Sequence, residues 1–400
     1  MKYSVAIIGG GFSGMCAGVK LGAVLGSKLL ILEGNKRVGK KIIATGNGQG
    51  NITNTLMSEK YYHGDVNLVK TALDRYSNTH LISFFEELGL ITDVHNGKVY
   101  PASFVAGSIT DVLRFELERL NVSVKTECYV TKIVKEGGFK ITCENGEVYF
   151  AEKVICAFGG KSGAGFLTDG RSYKLLTNLN HTLTELSPSL VQLKCEKEKI
   201  KGLKGIKLDA KVGLYGDKRH IATFNGDILF TDYGISGNAV FSLSAYLKGV
   251  KNPTVEIEFL PNFTREFLAE KLSVKCKNKM EWEKLLVSFL PSRLALSVLK
   301  VCSISHAEIA KQHEIEKVVN CIKSFTLKIE GTSSFDNSQV TAGGINTKEI
   351  HYSSLESKIV PNLYIIGETL DVDGDCGGYN LQWAFTSAMI ASEDILSEES

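Results

Sequence analysis

Six residues near the start of the chain, Gly9-Gly-Gly-Phe-Ser-Gly14, limit the possible folds more than any other feature. They match the pattern G-x-G-x-x-G. Before them stands Val5-Ala-Ile-Ile8, a short apolar run that reads as a buried parallel strand. After them, residues 13–26 are rich in small and aliphatic side chains and predict a helix. Lys28–Glu33 (Lys-Leu-Leu-Ile-Leu-Glu) predicts a second buried strand. Strand, glycine turn, helix and strand in this order make one βαβ unit. Gly9 then permits the tight turn, Gly11 lets the backbone approach a pyrophosphate, and Gly14 lets the helix lie against the strand. The helix start, with Phe12 and Ser13, turns N–H groups and a positive dipole end toward the phosphates. Glu33 suits a ribose 2′-hydroxyl and would repel a 2′-phosphate. A chance glycine turn would explain the six residues alone, but not their setting.

The fingerprint does not separate FAD from NAD; two further glycine-rich segments do. Residues 39–54 and 367–382 are both rich in glycine and side-chain amides. FAD is the longer dinucleotide, and its flavin must be held far from its adenine, so one loop from each end of the chain meeting over a single cofactor accounts for both segments. The amides would read the carbonyl and imide edges of the flavin by hydrogen bonds. The expected contacts from the first loop are Lys40, Lys41, Thr45, Gly46, Asn47, Gly48 and Asn51. Those from the second are Gly367, Glu368, Asp375, Gly377, Gly378, Asn380, Leu381 and Gln382. Gly34, after Glu33, and Ala157 and Gly159, at the end of a buried strand over Lys153–Gly160, complete the set. No His or Cys stands in loop 39–54 to attach a ring, so the FAD is expected to be non-covalent. A helix predicted over Leu381–Leu396 follows the second loop directly. Its N-terminus would face the pyrimidine end of the ring, where negative charge gathers on reduction.

Elsewhere the pattern predicts helices over 65–89 and 105–120, and strands over 122–135 and 139–150 with a turn at Glu144–Glu147. From about residue 189 the texture changes. Residues 190–232 show short alternating segments, 264–322 read as helical, and Lys323–Glu330 returns to strand. The fold class is therefore α/β: a Rossmann-type FAD-binding domain with an N-terminal segment (residues 1–188) and a C-terminal segment (residues 336–400), and an insert at 189–335 whose short alternating segments suggest a β-barrel or sandwich beside helices. The insert is expected to cap the flavin and help bind substrate.

The net charge of +2 gives no general pull toward nucleic acid or acidic membranes. Residues 189–335 carry 23 Lys+Arg against 16 Asp+Glu, a local net of +7, read here as a solvated face. The nine scattered cysteines form no C-x-x-C, which predicts reduced thiols and no zinc or disulfide framework. His63, His95 and His181 follow no metal-ligand spacing, and Cys376 and Trp383 read as packing residues. No stretch approaches a membrane span or signal peptide, so the chain is placed in the cytoplasm.

The sequence resembles the bacterial flavoprotein family that contains aminoacetone oxidase and the 3-dehydro-bile-acid reductase. The resemblance runs through Gly9–Gly14, Lys40-Lys41 into Thr45-Gly-Asn-Gly, Asn51-Ile-Thr-Asn54, Val99-Tyr-Pro101 and Phe158-Gly-Gly160. It continues through Thr168-Asp-Gly170, Ser187–Val191, Asp227–Thr231, Tyr233–Gly237 and Val340–Gly344. The most specific stretch is Gly367-Glu-Thr-Leu-Asp-Val-Asp-Gly-Asp-Cys-Gly-Gly-Tyr-Asn-Leu-Gln382. The resemblance implies a two-dinucleotide-binding-domain flavoprotein whose Val130 backbone meets the adenine. Two positions depart from the family pattern: Gln49-Gly50 replaces Arg-Cys, and Asp232 replaces His.

These readings imply an enzyme that moves a hydride between flavin and a small organic substrate. The leading version is an NAD(P)H-linked reductase of an activated C=C or C=O. With no second G-x-G-x-x-G after a strand, NADH or NADPH would visit the substrate pocket transiently. The alternatives are an O₂-using amine or alcohol oxidase, a nucleic-acid-modifying flavoprotein, and a flavin-binding module without turnover. Neither nucleic acid nor membrane is the expected partner. Tyr100, Tyr233, Tyr379 and Asp232 are the candidates for proton transfer to substrate.

Overall fold

Strand β1 (Lys2–Ile8) runs through the middle of a seven-stranded sheet. Its central residues Val5, Ala6 and Ile7 are wholly buried, which is why the run is apolar without alternation. The computed structural model describes residues 2–398. Helix α1 (Phe12–Leu25) follows, then strand β2 (Leu29–Leu32), which pairs parallel to β1. Ser123–Lys125 extends the sheet beyond β2. On the other side of β1 lies Val148–Cys156, also parallel, then antiparallel Phe139–Cys143 and Val130–Lys135. Leu363–Ile365, from far along the chain, pairs parallel with the end of Val148–Cys156. The last helix, Tyr379–Ser397, packs on α1. Among the described residues no helix is long and apolar enough to cross a membrane.

Three expectations change. Residues 139–150 and 153–160 are not separate strand systems: Val148–Cys156 is one strand, antiparallel to its hairpin partner in its first half and parallel to β1 throughout. Glu152 and Lys153 look like a break in the sequence. In the fold they pair with Lys2 (2.9 Å) and Glu398 (2.5 Å), so the strand continues through them. Residues 65–89 form two helices, Val66–Arg75 and Asn78–Glu87. The first ends because the Tyr76 carbonyl turns to accept from Gln382 Nε2 (3.3 Å) and Thr386 Oγ1 (2.7 Å), and Ser77 opens the second with a capping box to His80. Residues 122–135 are two strands, Ser123–Lys125 and Val130–Lys135, on opposite edges of the sheet.

The chain separates into two units, one running up to Ser189 and resuming at Ser338, the other Leu190–Asn337. The second holds a closed six-stranded barrel ordered Leu193–Cys195, Gly234–Ser236, Arg219–Phe230, Lys207–Gly216, Thr254–Phe259 and Phe325–Thr332. Period-two alternation sends Val212, Leu214, Ile257, Phe259, Phe325 and Leu327 inward. The helices Arg265–Cys276, Trp282–Leu286, Ser292–Val301 and Ile315–Lys323 share that core through Trp282, Leu294 and Val318. Lys323 is buried there with a full set of partners: Glu258 and the carbonyls of Leu260 (3.2 Å) and Phe263 (2.7 Å).

A Cβ added to Gly14 would run into the carbonyl of Gly9. Gly14→Ala should therefore push α1 off β1 and destabilise the unit by about 1–3 kcal/mol. The measurement is the urea midpoint; a midpoint equal to that of the wild type would show that the helix has room to shift.

Candidate functional site

The glycine turn is built for an anionic ligand. Gly9 has φ +108°, and α1 starts at Gly11 without a side-chain cap. A Cβ at Gly11 would meet no atom within 4 Å, so open space lies where a phosphate would meet the helix N-terminus. Phe12 packs against Phe85 and Ser13 is buried beside Gly367. Glu33 accepts from Gly10 N (2.8 Å), Asn35 N (2.7 Å) and Asn35 Nδ2 (2.7 Å). Its carboxylate thus sets the turn. Asn35, absent from the sequence expectations, also reaches the Phe166 carbonyl (3.0 Å), and Lys40 Nζ reaches Asn35 Oδ1 (3.3 Å) and the Gly165 carbonyl (3.2 Å). Beyond Glu33 opens a cavity of about 640 Å³ lined by Gly34, Asn35, Lys40, Tyr129 and Arg171 among others. The strand beginning at Val130 is set beside it, since Cys128 N donates to the Glu33 carbonyl (2.9 Å). Ala157 N donates to the Ile8 carbonyl (2.9 Å), which brings the next strand end to the turn.

The two distant loops meet. Lys41 Nζ pairs with Glu368 (2.9 Å), Thr53 Oγ1 donates to Gln382 Oε1 (2.7 Å), and Asn54 Nδ2 donates to the Gly377 carbonyl (3.0 Å). Tyr62–Gly64 and Val372–Gly374 form an antiparallel pair. Gly159 N donates to Thr369 Oγ1 (3.2 Å), joining a third segment. Thr45, Gly46, Asn47 and Gly48 form a partly exposed turn in which the last three have positive φ. The residues therefore fit an FAD: open space at the helix N-terminus by Gly11, a carboxylate at the turn, a cavity beyond it, and two long loops joined to each other. Cys16, the cysteine within the fingerprint helix, is fully buried and held protonated by burial, so it offers no attachment to a ring.

The amide side chains of these loops have partners within the protein. Gln382 is wholly buried, with its oxygen on Thr53 and its nitrogen on Tyr76 and Thr386. Asn380 closes on Gly374 through both side-chain atoms (2.8 and 2.7 Å), and Asn51 Nδ2 donates to Thr53 and Val99 carbonyls. These groups hold the loops together, and Leu381 is half-buried beside them. Gly378, with φ +97°, is required for the same reason: a Cβ there would sit 2.5 Å from the Thr53 carbonyl oxygen. A Val there would collide with protein backbone. The last helix begins at Tyr379, two residues before its expected start.

Among the proton-transfer candidates, Tyr379 is buried, stacked on Tyr61 and donates to the Leu56 carbonyl (3.1 Å). Tyr100 is half-buried beside Cys376, and burial followed by that thiol raises its pKa. Tyr233 and Asp232 belong to the barrel unit; Tyr233 is exposed, and Asp232 pairs with Lys204 at the surface. Sequence reading missed a titratable group in the first unit. Asp371, Asp373 and Asp375 alternate along one strand face, and His63 opposes Asp373 across the pair. His63 Nε2 is 2.9 Å from Asp375 Oδ1. Burial works against protonating His63, but the Asp375 hydrogen bond and the charges of Asp373 and Asp375 outweigh it and raise its pKa. Asp373 accepts from Ser189 Oγ (3.0 Å) and is pushed up to about 6, by burial first. His63 and Ser189 oppose that rise, while Asp371 and Glu368 add to it. The period-two spacing of the aspartates was the available signal.

Glu33→Ala should weaken FAD binding by about 1.5–3 kcal/mol and also loosen the turn itself, because Gly10 N loses its acceptor. Titration with FAD and melting of the FAD-free protein read the two effects separately; unchanged affinity would remove Glu33 from the ribose. For Asp373 the folded value lies above its unfolded value of 3.8, so its contribution is fully present below that pH and lost as pH rises through about 6. Ionising it in the fold costs about 3 kcal/mol. Asp373→Asn keeps an acceptor for Ser189, so it should gain stability over the wild type as pH rises from about 4 to about 7. A gap in urea midpoint that does not change with pH would contradict this.

The family model described as the HI0933-like protein Rossmann domain matches residues 3–394. The chain is 36% identical to the 3-dehydro-bile acid delta(4,6)-reductase of Clostridium scindens, covering 97% of each. It is 27% identical to the ribosomal RNA dihydrouridine synthase of Escherichia coli, over 100% of this chain and 99% of that one. In fold it is similar to the 3-ketosteroid-delta4-(5alpha)-dehydrogenase of Rhodococcus jostii, with TM-score 0.51 and 11% identity over 98% of this chain and 97% of the other. The chain belongs to the HI0933-like Rossmann-domain family and is an FAD-dependent oxidoreductase.

Proposed function

We propose that the protein reduces a carbon–carbon double bond conjugated to a carbonyl in a small molecule, with NADH or NADPH as the transient reductant. The observation that carries this reading is the end-to-end match, at 36% identity, to a delta(4,6)-reductase of a 3-dehydro bile acid. Double bonds at those positions are conjugated with a 3-oxo group. The Escherichia coli relative is named for a related change, because dihydrouridine is uridine reduced at a double bond conjugated with a ring carbonyl. In each such reduction a hydride, two electrons and a proton, arrives at the alkene carbon farther from the carbonyl, and a second proton at the nearer one. When bound, FAD supplies the two-electron store for the hydride.

This chain's own residues supply the frame. Glu33 and the Gly9–Gly14 turn hold the dinucleotide end, and the Lys41–Glu368 pair joins the loops at the other. The start of helix Tyr379–Ser397 carries backbone N–H groups and a positive dipole end in the loop segment. A second reading, reduction of uridine in RNA, is favoured by the local charge of +7 over 189–335.

Anaerobic reduction by NADH or NADPH, followed by mixing with oxidant, tests the reading. A 4-en-3-one steroid should restore the visible flavin band at least about tenfold faster than its saturated ketone, a barrier difference of about 1.4 kcal/mol. Reoxidation by a uridine-containing transcript alone would move the assignment to RNA. Reoxidation by O₂ alone would mark an oxidase and overturn it.

A further inference from the structure

Two of the scattered cysteines meet in the helical layer of the Leu190–Asn337 unit. Cys302 follows the helix Ser292–Val301, and Cys321 lies within the helix Ile315–Lys323. Their contacts are reciprocal. Cys302 Sγ donates to the carbonyl of Lys317 (3.6 Å), four residues before Cys321, and Cys321 Sγ donates to the carbonyl of Val298 (3.9 Å), four residues before Cys302. Each thiol therefore sits over the turn that precedes the other. Both are buried, at 2% and 9% exposure. Ser303, with φ +53°, follows Cys302 directly and leads into an exposed stretch over 305–309.

We propose that Cys302 and Cys321 form a reversible disulfide when hydrogen peroxide oxidises the protein. The facing thiol and the Lys317 ammonium lower the pKa of Cys302 against its burial, while the same contact and burial raise that of Cys321. Cys302 is thus the attacking sulfur. Its thiolate attacks one peroxide oxygen, the O–O bond breaks, and the leaving hydroxide takes a proton to become water. Cys321 sulfur then attacks the sulfenic acid sulfur, the S–O bond breaks, and a second water leaves. Two thiols lose two electrons and the peroxide gains two. Local opening of the exposed stretch after Cys302 admits the oxidant. The bond would tie the end of one helix to the middle of the next and close the loop between them. Cys128 and Cys143 are a less reactive pair: burial and the Glu147 carboxylate, 3.0 Å from Cys128 Sγ, both hold that thiol protonated.

The test uses the full-length holoprotein, treated with increasing hydrogen peroxide, quenched in denaturant with an alkylating reagent, and mapped by non-reducing digestion and mass spectrometry. The expected first product joins the Cys302 and Cys321 peptides, loses two hydrogen masses and is undone by dithiothreitol. Cys302→Ser should abolish it and leave Cys321 alkylated. Cys321→Ser should instead accumulate a sulfenic acid at Cys302 that dimedone captures. If Cys302 and Cys321 remain alkylatable while other cysteines oxidise, or if Cys128 and Cys143 join first, the proposal is wrong. The wild-type map decides the question even if a serine variant fails to fold.

Discussion

The carboxylate of Glu368 joins three segments that are far apart in the sequence. One oxygen takes the Lys41 ammonium at 2.9 Å, and the other takes the backbone N–H of Thr341 at 2.9 Å. Lys41 belongs to the loop after the first βαβ unit, Glu368 to the loop before the last helix, and Thr341 to the strand by which the chain returns after residue 337. The pair is only partly exposed, so its attraction is less screened than that of a surface ion pair. The neighbouring contacts depend on the same placement. Thr53 on Gln382 and Asn54 on Gly377 need both loops at one depth, and Gln382 in turn holds the Tyr76 carbonyl that ends a helix.

The points where the chain leaves and re-enters the first unit are fastened to this junction. Ser187–Ser189 and Val340–Ala342 pair as antiparallel strands. Ser189 donates to Asp373, while Thr341 Oγ1 accepts from Lys161 N (2.8 Å) and Ser162 N (2.9 Å). Both strands thus bond to the 367–382 loop, one through Asp373 and one through Glu368. A change of charge in that loop acts directly on these strands. The buried Asp373, poised near neutrality and facing His63, is the group most open to such a change.

What was legible in the sequence was whatever local chemistry forces. Gly9, Gly11 and Gly14 could be assigned separate tasks because each task needs a missing side chain at a known offset, and the apolar runs at β1 and β2 leave no alternative to burial. Alternation announced a β-barrel or sandwich, and the pairing of the first and last strands decides for the barrel. The site was less legible where a side chain has two possible uses. Asn380 and Gln382 look like ligand-reading amides from composition alone; only the fold shows that Gly374, Thr53, Tyr76 and Thr386 use them. The strand Val148–Cys156 looked broken because the ion partners of Glu152 and Lys153 lie elsewhere in the chain. The meeting of Cys302 and Cys321 could not be read from a spacing of nineteen residues, since it depends on how two helices cross.

The positions that depart from the family pattern sit differently in the fold. The shared motifs Asn51–Asn54 and Gly367–Gln382 bond to each other through Thr53 and Asn54, so a change at those contacts disturbs the frame. Gln49 and Asp232 lie at the surface, and Asp232 pairs there with Lys204. Gly50 is the exception: it takes φ +78°, and a Cβ there would fall 2.6 Å from Ile109 Cδ1 and 2.9 Å from Ala106 Cα. A cysteine at that point requires the helix Ala106–Arg119 to stand further off or the loop to turn differently. The loop carrying Thr45–Gly48 is therefore shaped in this chain by the Gly50 contact.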